Sequence, residues 1–364
     1  MVYSIFVAGT GFSGKTALCL GLFSKFKEMG LNVGYFKPVG HGKKVIDEKL
    51  TDTDVLLMKE VMDLTESVDI LCPVVLGNRF LDQITGGCEE ASKKIREAHD
   101  IVKAGKDILL IESAARPESL TYCGLNVPKL AKMFDAKILF SVKGDDDTVV
   151  DEALHYRDYV QWEGGEMLGV VINFVPLQQI ERMKGVISPM FNKYDLEVLG
   201  VVPDKRELTQ PTVQDVVDVL DADVLTCRNQ LEGLVDNFLV GAMSPESALS
   251  WLRRSMGRAF ITGGDRADLI LTALETKPSA IILTGNIYPS VRVLSTAEAK
   301  GIPILLVPTD TYTTVTKLEL LEGRIVPSPT STKRIQLTRQ IIGDYIDWRK
   351  ILEEYVAHKK SAPD

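Results

Sequence analysis

One eight-residue segment near the start of the chain constrains its fold most. It reads Gly9-Thr10-Gly11-Phe12-Ser13-Gly14-Lys15-Thr16 and matches the pattern G-x-x-x-x-G-K-[ST]. The apolar run Tyr3–Ala8 precedes it, and the helical stretch Lys15–Met29 follows it. A strand, a glycine-rich turn and a helix in this order point backbone N–H groups at phosphate oxygens, at the positive end of the helix dipole. We therefore predict a phosphate-binding P-loop.

Apolar runs and amphipathic stretches alternate over the first 200 residues. The runs are rich in Val, Ile, Leu and Phe without clean alternation, as buried parallel strands are. They are Tyr3–Ala8, Asn32–Pro38, Asp107–Glu112, Lys137–Val142, Leu168–Phe174 and Glu197–Pro203. Between them lie helical stretches such as Glu89–Ala104 and Val149–Val160. This alternation predicts an α/β P-loop NTPase fold over residues 1–207, with a mostly parallel sheet flanked by helices.

A second α/β pattern follows the polar stretch Asp204–Pro211, where we place a domain boundary. We predict a smaller domain over 212–328. Its expected strands are Arg258–Thr262, Ala280–Leu283 and Pro303–Val307, and its expected helices are Ala267–Glu275, Ser290–Lys300 and Thr313–Leu321. Residues 333–360 carry an apolar stripe that predicts one C-terminal helix, packed either on the body of the protein or on a partner subunit.

Composition excludes several classes of protein. The 364 residues carry a net charge of −8, which argues against nucleic acid as the main partner. No run of 18 apolar residues exists, so we expect no membrane span. The N-terminus lacks the positive region of a signal peptide, so we expect no signal peptide there. The five cysteines are scattered and form no CxxC pair, so we expect neither a metal cluster nor a disulfide framework, and a reducing cytoplasm fits best.

Several polar residues beside the predicted P-loop suggest its chemistry. Lys15 would reach the β and γ phosphates, and the Thr16 hydroxyl would ligate Mg²⁺. Lys37 ends the second strand, where it either meets an anionic substrate or is simply solvated. Asp54 begins a predicted helix, where Asp52 or Thr53 could serve only as a cap. Glu112 ends a buried strand and is a candidate Mg²⁺ partner, or else a structural carboxylate.

Taken in order, these segments resemble dethiobiotin synthetases over about residues 1–203. The shared features are the GT-x-x-x-x-GKT loop, GYFKPVG, an acid near 54, the strand-end Glu112, Val171-Ile172-Asn173 and Leu199-Gly200-Val201-Val202-Pro203. The resemblance implies that ATP and Mg²⁺ bind here, with Lys15 and Lys37 acting in catalysis and Thr16, Asp54 and Glu112 around the metal. The residues implied to bind ATP are Gly11, Phe12, Ser13, Gly14, Lys15, Thr16, Ala17, Asn173 and Pro203.

The resemblance fails in one segment. After the strand-end glutamate, dethiobiotin synthetases carry Gly-Ala-Gly-Gly, which helps to shape the substrate pocket. This chain has Ser113-Ala114-Ala115-Arg116-Pro117-Glu118 instead, with two charged residues. The implied nucleotide site therefore transfers to this chain, and the implied substrate site does not.

In the second domain, Gly263-Gly264-Asp265-Arg266 follows an apolar run and precedes a helix. The two glycines either bring the backbone close to a ligand at the helix N-terminus, with Asp265 as a cap, or form an ordinary tight turn. Residues 214–325 resemble the DRTGG domain in the N-terminal region of long phosphotransacetylases. This resemblance implies a regulatory turn, nucleotide sensing and oligomer contacts. Because the chain ends at Asp364, we expect a stand-alone relative without the acetyltransferase domain.

Three functions fit these features. The first is a regulatory Mg-ATP-binding protein with slow hydrolysis, forming a homo-oligomer and acting with a separately encoded acetyl-transferring enzyme. The second is an ATP-dependent ligase or cyclase that activates a carboxylate or carbamate, of the dethiobiotin or cobyrinate a,c-diamide synthetase type. The third is a partitioning-type switch, which is disfavoured because the segment Gly9–Phe12 lacks the early lysine of those loops.

Overall fold

The computed structural model separates the chain into two compact units. The first holds Met1–Lys205 together with Val326–Asp364, and the second holds Arg206–Ile325. The residues that the structure describes are 2–41, 44–46, 49–77, 81, 87–205, 208, 210–253, 257–319, 321 and 332–361. Within the described helices, none is long and apolar enough to cross a bilayer.

A six-stranded parallel sheet forms the centre of the first unit. Its strand order is β10-β9-β8-β1-β7-β2. The strands are β1 Tyr3–Gly9, β2 Val33–Phe36, β7 Ile108–Glu112, β8 Ala136–Lys143, β9 Met167–Val175 and β10 Val198–Pro203. All six predicted apolar runs are therefore strands, and the predicted mostly parallel sheet is confirmed. The P-loop strand β1 lies between β7 and β8, away from both sheet edges.

Helices flank this sheet because its strands are apolar on both faces and need cover on each. Among the described residues up to 205, the α-helices of four or more residues are α1 Lys15–Glu28, α2 Thr53–Val61, α3 Val68–Leu71, α4 Cys88–Lys103, α5 Val127–Met133, α6 Thr148–Trp162 and α7 Ser188–Asn192. Four short strands form two small pairs beside them: β3 Val39–His41 with β6 Val74–Leu76, and β4 Lys44–Ile46 with β5 Lys49–Thr51.

The second unit is built on a five-stranded sheet of order β11-β15-β14-β13-β12. The strands are β11 Asp223–Val224, β12 Asn237–Val240, β13 Arg258–Gly263, β14 Ala280–Thr284 and β15 Ile304–Leu306. The last four are parallel, whereas the edge strand β11 is antiparallel to β15. The three predicted strands are confirmed, and β11 and β12 were missed by the sequence analysis.

Helices cover both faces of the second sheet. They are α8 Val213–Leu220, α9 Pro245–Leu252, α10 Ala267–Leu274, α11 Val291–Lys300 and α12 Thr311–Glu319. Phe260 of β13 packs in a core with α9, α10 and α11, whereas its neighbour Ile261 packs with α8 and α12. Successive residues of a strand point to opposite faces, so this one strand contributes to both cores.

The C-terminal segment is two helices, α13 Thr332–Tyr345 and α14 Trp348–Ser361, where the sequence predicted one helix over 333–360. The helix breaks because Ile346 bridges to Gly200 and the Asp347 N–H donates to Leu199 O at 2.7 Å, both on edge strand β10. Helix α13 packs on α1 so closely that a Cβ on Gly21 would lie 2.2 Å from Ile342 Cβ. Of the two expected locations, the structure shows packing on the body of the protein.

A disulfide joins Cys88 to Cys123, with their Cα atoms 5.2 Å apart. The sequence analysis expected no disulfide framework and did not predict this single pair. The two residues lie 35 positions apart, and only the packing of α4 beside the loop after β7 brings them together. The remaining cysteines, Cys19, Cys72 and Cys227, are buried thiols.

Candidate functional site

The P-loop turns sharply between β1 and α1. Phe12 has φ +57° and Gly14 has φ +84°, both in the left-handed region. A Cβ on Gly14 would lie 2.3 Å from Asn173 Nδ2, so this position has room only for glycine. The turn ends at Lys15, where α1 begins. Its N-terminal backbone N–H groups are available as anion donors, as the sequence predicted for a phosphate-binding loop.

Two side chains from neighbouring strands brace this loop. Ser141 Oγ donates to Ser13 O at 2.7 Å, and Asn173 Nδ2 donates to the same carbonyl at 3.0 Å. The Asn173 Oδ1 accepts from Phe174 N at 2.9 Å. Asn173 thus supports the loop directly, whereas its predicted contact with adenine stays a prediction. Ser141 was missed, although a lone hydroxyl in the apolar strand β8 is a signal that could have found it.

Lys15 lies back along the loop that precedes it. Its Nζ donates to Thr10 O at 2.9 Å and approaches Gly9 O at 3.4 Å. The side chain is buried, and this desolvation lowers the pKa of Lys15 to about 8, although the Glu112 carboxylate opposes the shift. A buried lysine whose pKa lies this close to neutral pH is stabilised by a nearby anion, because the anion favours the charged ammonium form.

Lys37 lies at the centre of a buried acidic cluster. Its Nζ is 2.6 Å from Asp54 Oδ2, 3.1 Å from Asp52 and 3.5 Å from Glu112 Oε1. Burial by itself would lower the pKa of Lys37, but the three carboxylates raise it well above its ordinary value. Lys37 is therefore paired and buried, so its interpretation as a solvated strand-end lysine is wrong.

Asp52 has two roles in this cluster. Its side chain accepts from Asp54 N and Val55 N, which caps α2, as one of the two sequence interpretations proposed. It also accepts from His41 N at 2.9 Å and pairs with Lys37. The second role was missed, because spacing along the chain does not show that the start of α2 lies beside the end of β2.

Glu112 receives a hydrogen bond on each carboxylate oxygen. Thr16 Oγ1 donates to Oε1 at 2.7 Å, and Tyr35 OH donates to Oε2 at 2.7 Å. Burial raises the pKa of Glu112 above its ordinary value, although Lys37 and these two donors oppose the shift. Tyr35 was missed by the sequence analysis. Its position in β2, two residues before Lys37, is the signal that could have found it.

The donor set beside the P-loop fits Mg²⁺. The cluster places the three carboxyl groups of Asp52, Asp54 and Glu112 around the one amine of Lys37. Thr16, Asp54 and Glu112 supply the one hydroxyl and two carboxylates that Mg²⁺ prefers when phosphate oxygens and water complete its shell. Across the described residues, no group of three His, Cys, Asp or Glu side chains could hold a metal without such help.

The other predicted site residues lie around this centre. Ala17 is buried in the first turn of α1, and Pro203 ends β10. Gly11 has open space around its Cα, and Phe12 is half exposed at the tip of the loop. In the segment that departs from dethiobiotin synthetases, Arg116 and Glu118 are exposed to solvent. The Arg116 Nη1 atom lies 3.9 Å from Glu118 Oε1.

The predicted regulatory turn packs against a neighbouring loop of the second unit. A Cβ on Gly264 would lie 1.7 Å from Ile287 O, so the two backbones are in contact. Arg266 Nη2 donates to Met243 O at 3.2 Å, which ties the turn to the loop after β12. Asp265 does not cap the following helix: the N-cap residue of α10 is Arg266, with no side-chain cap. The prediction of an Asp265 cap is therefore wrong.

Two family models match the chain. The model described as an AAA domain matches residues 3–212, which is more than half of the chain. The chain belongs to this AAA domain family. A second model, described as a DRTGG domain, matches residues 215–321. The suspected pairing of a P-loop domain with a DRTGG domain is thereby confirmed.

Curated proteins similar to this AAA domain protein include phosphate acetyltransferases and dethiobiotin synthetases. The phosphate acetyltransferase of Pseudomonas putida is 26% identical over 88% of this chain and 48% of its own length. The ATP-dependent dethiobiotin synthetase of Methanocaldococcus jannaschii is 25% identical over 56% of this chain and 95% of its own length. The chain spans about half the length of the phosphate acetyltransferases that it matches.

Solved structures overlap with parts of the chain. The CBS and DRTGG domains of the regulatory region of Clostridium perfringens pyrophosphatase, complexed with diadenosine tetraphosphate, are 22% identical, with a TM-score of 0.29, over 38% of this chain and 57% of that one. The MinD protein of Aquifex aeolicus is 14% identical, with a TM-score of 0.38, over 57% of this chain and 84% of that one.

Proposed function

We propose that the chain is a regulatory protein that binds Mg-ATP at its P-loop and hydrolyses it slowly. The observation that carries this proposal is the hydrogen bond from Thr16 to Glu112, beside the buried Lys37 and the P-loop lysine. This bond brings a hydroxyl and a carboxylate together beside the phosphate-binding turn. Oxygen donors of these two kinds hold Mg²⁺ next to the phosphates of a bound nucleotide.

In this proposal each residue has a defined role. Backbone N–H groups from Gly11 to Ala17 bind the phosphates, and Lys15 neutralises their charge. Thr16, Asp54 and Glu112 hold Mg²⁺, which polarises the phosphoryl oxygens when it is bound. We propose that Asn173 and Pro203 contact the adenine. Lys37 holds the carboxylates in place and would meet the transferred phosphoryl group.

The regulatory part of the proposal rests on two supports. Arg116 and Glu118 replace the small residues that shape the substrate pocket in dethiobiotin synthetases, and residues 215–321 match the model of the DRTGG domain, which the sequence resemblance associates with regulation. We propose that the second unit relays the nucleotide state within a homo-oligomer to a separately encoded acetyl-transferring enzyme. We also propose a cytoplasmic location.

A second candidate is an ATP-dependent ligase or cyclase that activates a carboxylate or carbamate. The observation that favours it is the match to nearly the whole length of a dethiobiotin synthetase. Lys37, beside the proposed metal residues, would then meet the second substrate.

Calorimetric titration of ATP with Mg²⁺ tests the binding site. Lys15→Ala should weaken ATP binding at least about tenfold, which is about 1.4 kcal/mol, because it removes the buried charge that meets the phosphates. Lys27→Ala is the matched control, since Lys27 is exposed at the other end of α1. Unchanged affinity in Lys15→Ala would remove the P-loop assignment.

A turnover assay separates the two candidates. The chain is supplied with diaminopelargonic acid, CO₂ and Mg-ATP, and dethiobiotin is measured alongside phosphate release. The regulatory proposal expects slow phosphate release and no dethiobiotin. Robust dethiobiotin formation would reject it in favour of the ligase.

A further inference from the structure

The disulfide between Cys88 and Cys123 differs from the other cysteines in its accessibility. Both residues are half-buried, whereas Cys19, Cys72 and Cys227 are buried thiols. Cys88 opens α4, and Cys123 ends the 3₁₀ turn Thr121–Cys123 in the loop after β7. A small solvent-borne thiol or disulfide can therefore approach this pair more readily than the other three cysteines.

Part of the candidate site lies between the two disulfide-bonded cysteines in the sequence. The ring that it closes contains β7 and therefore Glu112. Helix α4 packs on β2 through His99, whose ring lies 5.9 Å from that of Phe36, the residue before Lys37. The disulfide thus links the helix behind Lys37 to the loop that follows Glu112. These two side chains are 3.5 Å apart in the acidic cluster.

The loop after Glu112 is also held by its own hydrogen bonds. Val127 N donates to Pro117 O at 2.9 Å, and Leu125 N donates to Leu120 O at 3.1 Å. Leu120 has φ +61°, a left-handed conformation that a non-glycine residue adopts only when its surroundings impose it. The covalent link to α4 is one such constraint, so its loss should loosen this turn.

We propose that Cys88 and Cys123 form a reversible thiol–disulfide site, which small-molecule disulfides oxidise and thiols reduce. Its state sets the order of the loop 113–126 and, through Glu112, the affinity for Mg-ATP; this last step rests on the proposed function. In a reducing cytoplasm such a pair forms a disulfide only when an oxidant is present, so it responds to oxidation and does not stabilise the fold permanently.

The exchange with glutathione disulfide balances in two steps. One cysteine thiolate attacks the glutathione disulfide, forms a mixed disulfide and releases one glutathione thiolate. The second cysteine thiolate attacks the protein sulfur of the mixed disulfide and releases the other glutathione thiolate. Two electrons pass from the cysteine pair to glutathione disulfide, and the two cysteine protons pass to the released thiolates.

The test uses the full chain equilibrated over a range of glutathione to glutathione disulfide ratios. Alkylation and peptide mass spectrometry report the state of each cysteine, and hydrogen exchange reports the amides of Leu125 and Val127. Reduction should speed their exchange at least about tenfold, since local opening is no longer covalently limited. It should also change the calorimetric Kd for Mg-ATP by about fivefold or more.

Variants complete the test. Cys88→Ser and Cys123→Ser should each resemble the reduced protein at every ratio, and Cys227→Ser, in the second unit, should resemble the wild type. If one serine variant does not fold, reduction of the wild type supplies the same comparison. The absence of a disulfide at all ratios, or equal exchange in both states, would overturn the thiol site. Equal and measurable Kd values would overturn its link to Glu112, whereas no ATP binding in either state contradicts the proposed function instead.

Discussion

Thr16 Oγ1 donates to Glu112 Oε1 at 2.7 Å, across 96 residues of sequence. One residue lies in the first turn of the P-loop helix, and the other ends the adjacent strand β7. The bond is buried, and the Glu112 pKa is raised mainly by desolvation. A nearby cation stabilises the ionised form of a buried carboxylate, and we therefore place this pair at the centre of the proposed metal site.

Glu112→Gln should remove most of the effect of Mg²⁺ on ATP binding. The amide keeps the shape of the side chain and an acceptor for Thr16, but it loses the charge that a divalent cation needs. For the wild type we expect Mg²⁺ to tighten binding at least about tenfold over EDTA, or 1.4 kcal/mol, and for the variant far less. Calorimetry in both buffers measures this.

Glu118→Gln is the matched control for that experiment, because the same change is made at an exposed carboxylate shortly after β7. It should retain the full Mg²⁺ effect. Equal ATP binding with Mg²⁺ and EDTA in the wild type would show that the metal assignment is wrong.

ATP binding should take up a proton at alkaline pH. Burial lowers the pKa of Lys15 to about 8, so part of the free lysine is neutral at alkaline pH. Bound phosphates favour the ammonium and raise that pKa, so affinity should fall as pH rises above 8. Titrations at pH 8.5 in buffers of different ionisation enthalpy should report net proton uptake on binding.

Lys15→Arg provides the comparison, because guanidinium does not titrate in this range. Its binding should take up no proton from this position. Zero uptake by the wild type at pH 8.5 would mean that Lys15 is not the group that meets the phosphates.

Gly264→Ala should destabilise the second unit while leaving ATP affinity unchanged. The new Cβ would lie 1.7 Å from Ile287 O, a backbone atom that cannot move aside alone. Overpacking of this kind costs about 1–3 kcal/mol. Gly233→Ala, whose Cβ would lie 3.4 Å from Gln230 O in the same unit, should be tolerated. Thermal unfolding compares the two variants, and equal stability would contradict the loop contact.

Ile342→Ala should destabilise the first unit, because Ile342 is buried where α13 packs on the P-loop helix. Removal of a buried isoleucine side chain costs about 2–5 kcal/mol. Val356→Ala, at an exposed position of α14, should cost no more than about 0.5 kcal/mol. Chemical denaturation measures both, and a neutral Ile342→Ala would show that the C-terminal helices do not cover α1 in solution.

The packing of α13 on α1 affects how a fragment of residues 1–210 should behave. Residues 1–210 contain every proposed nucleotide-binding residue, and the sequence alone suggests that they could bind ATP as a separate domain. In the structure, the first unit also includes 326–364. A fragment that ends at 210 would expose the face of α1 that contains Gly21, so we expect it to be less stable than the full chain.

Local pattern by itself determined the P-loop, the six strands of the first sheet and three of the five strands of the second. A glycine-rich turn with Lys15 and Thr16 specifies its conformation through neighbouring residues, and continuous apolar runs specify buried strands. Glu112 was found in the same way, because a charged residue that ends a buried strand is visible in one segment of sequence.

Only the tertiary structure decided which segments meet. The acidic cluster needs β2, α2 and β7 side by side, so the roles of Asp52 and Tyr35 depend on a strand order that spacing does not encode. Three other contacts also depend on the tertiary structure. They are the hydrogen bond from Asn173 to the P-loop, the disulfide of Cys88 and the packing of Ile342 on Gly21. Such contacts form because each apolar face must be covered, and the sequence shows that a face exists without showing which segment covers it.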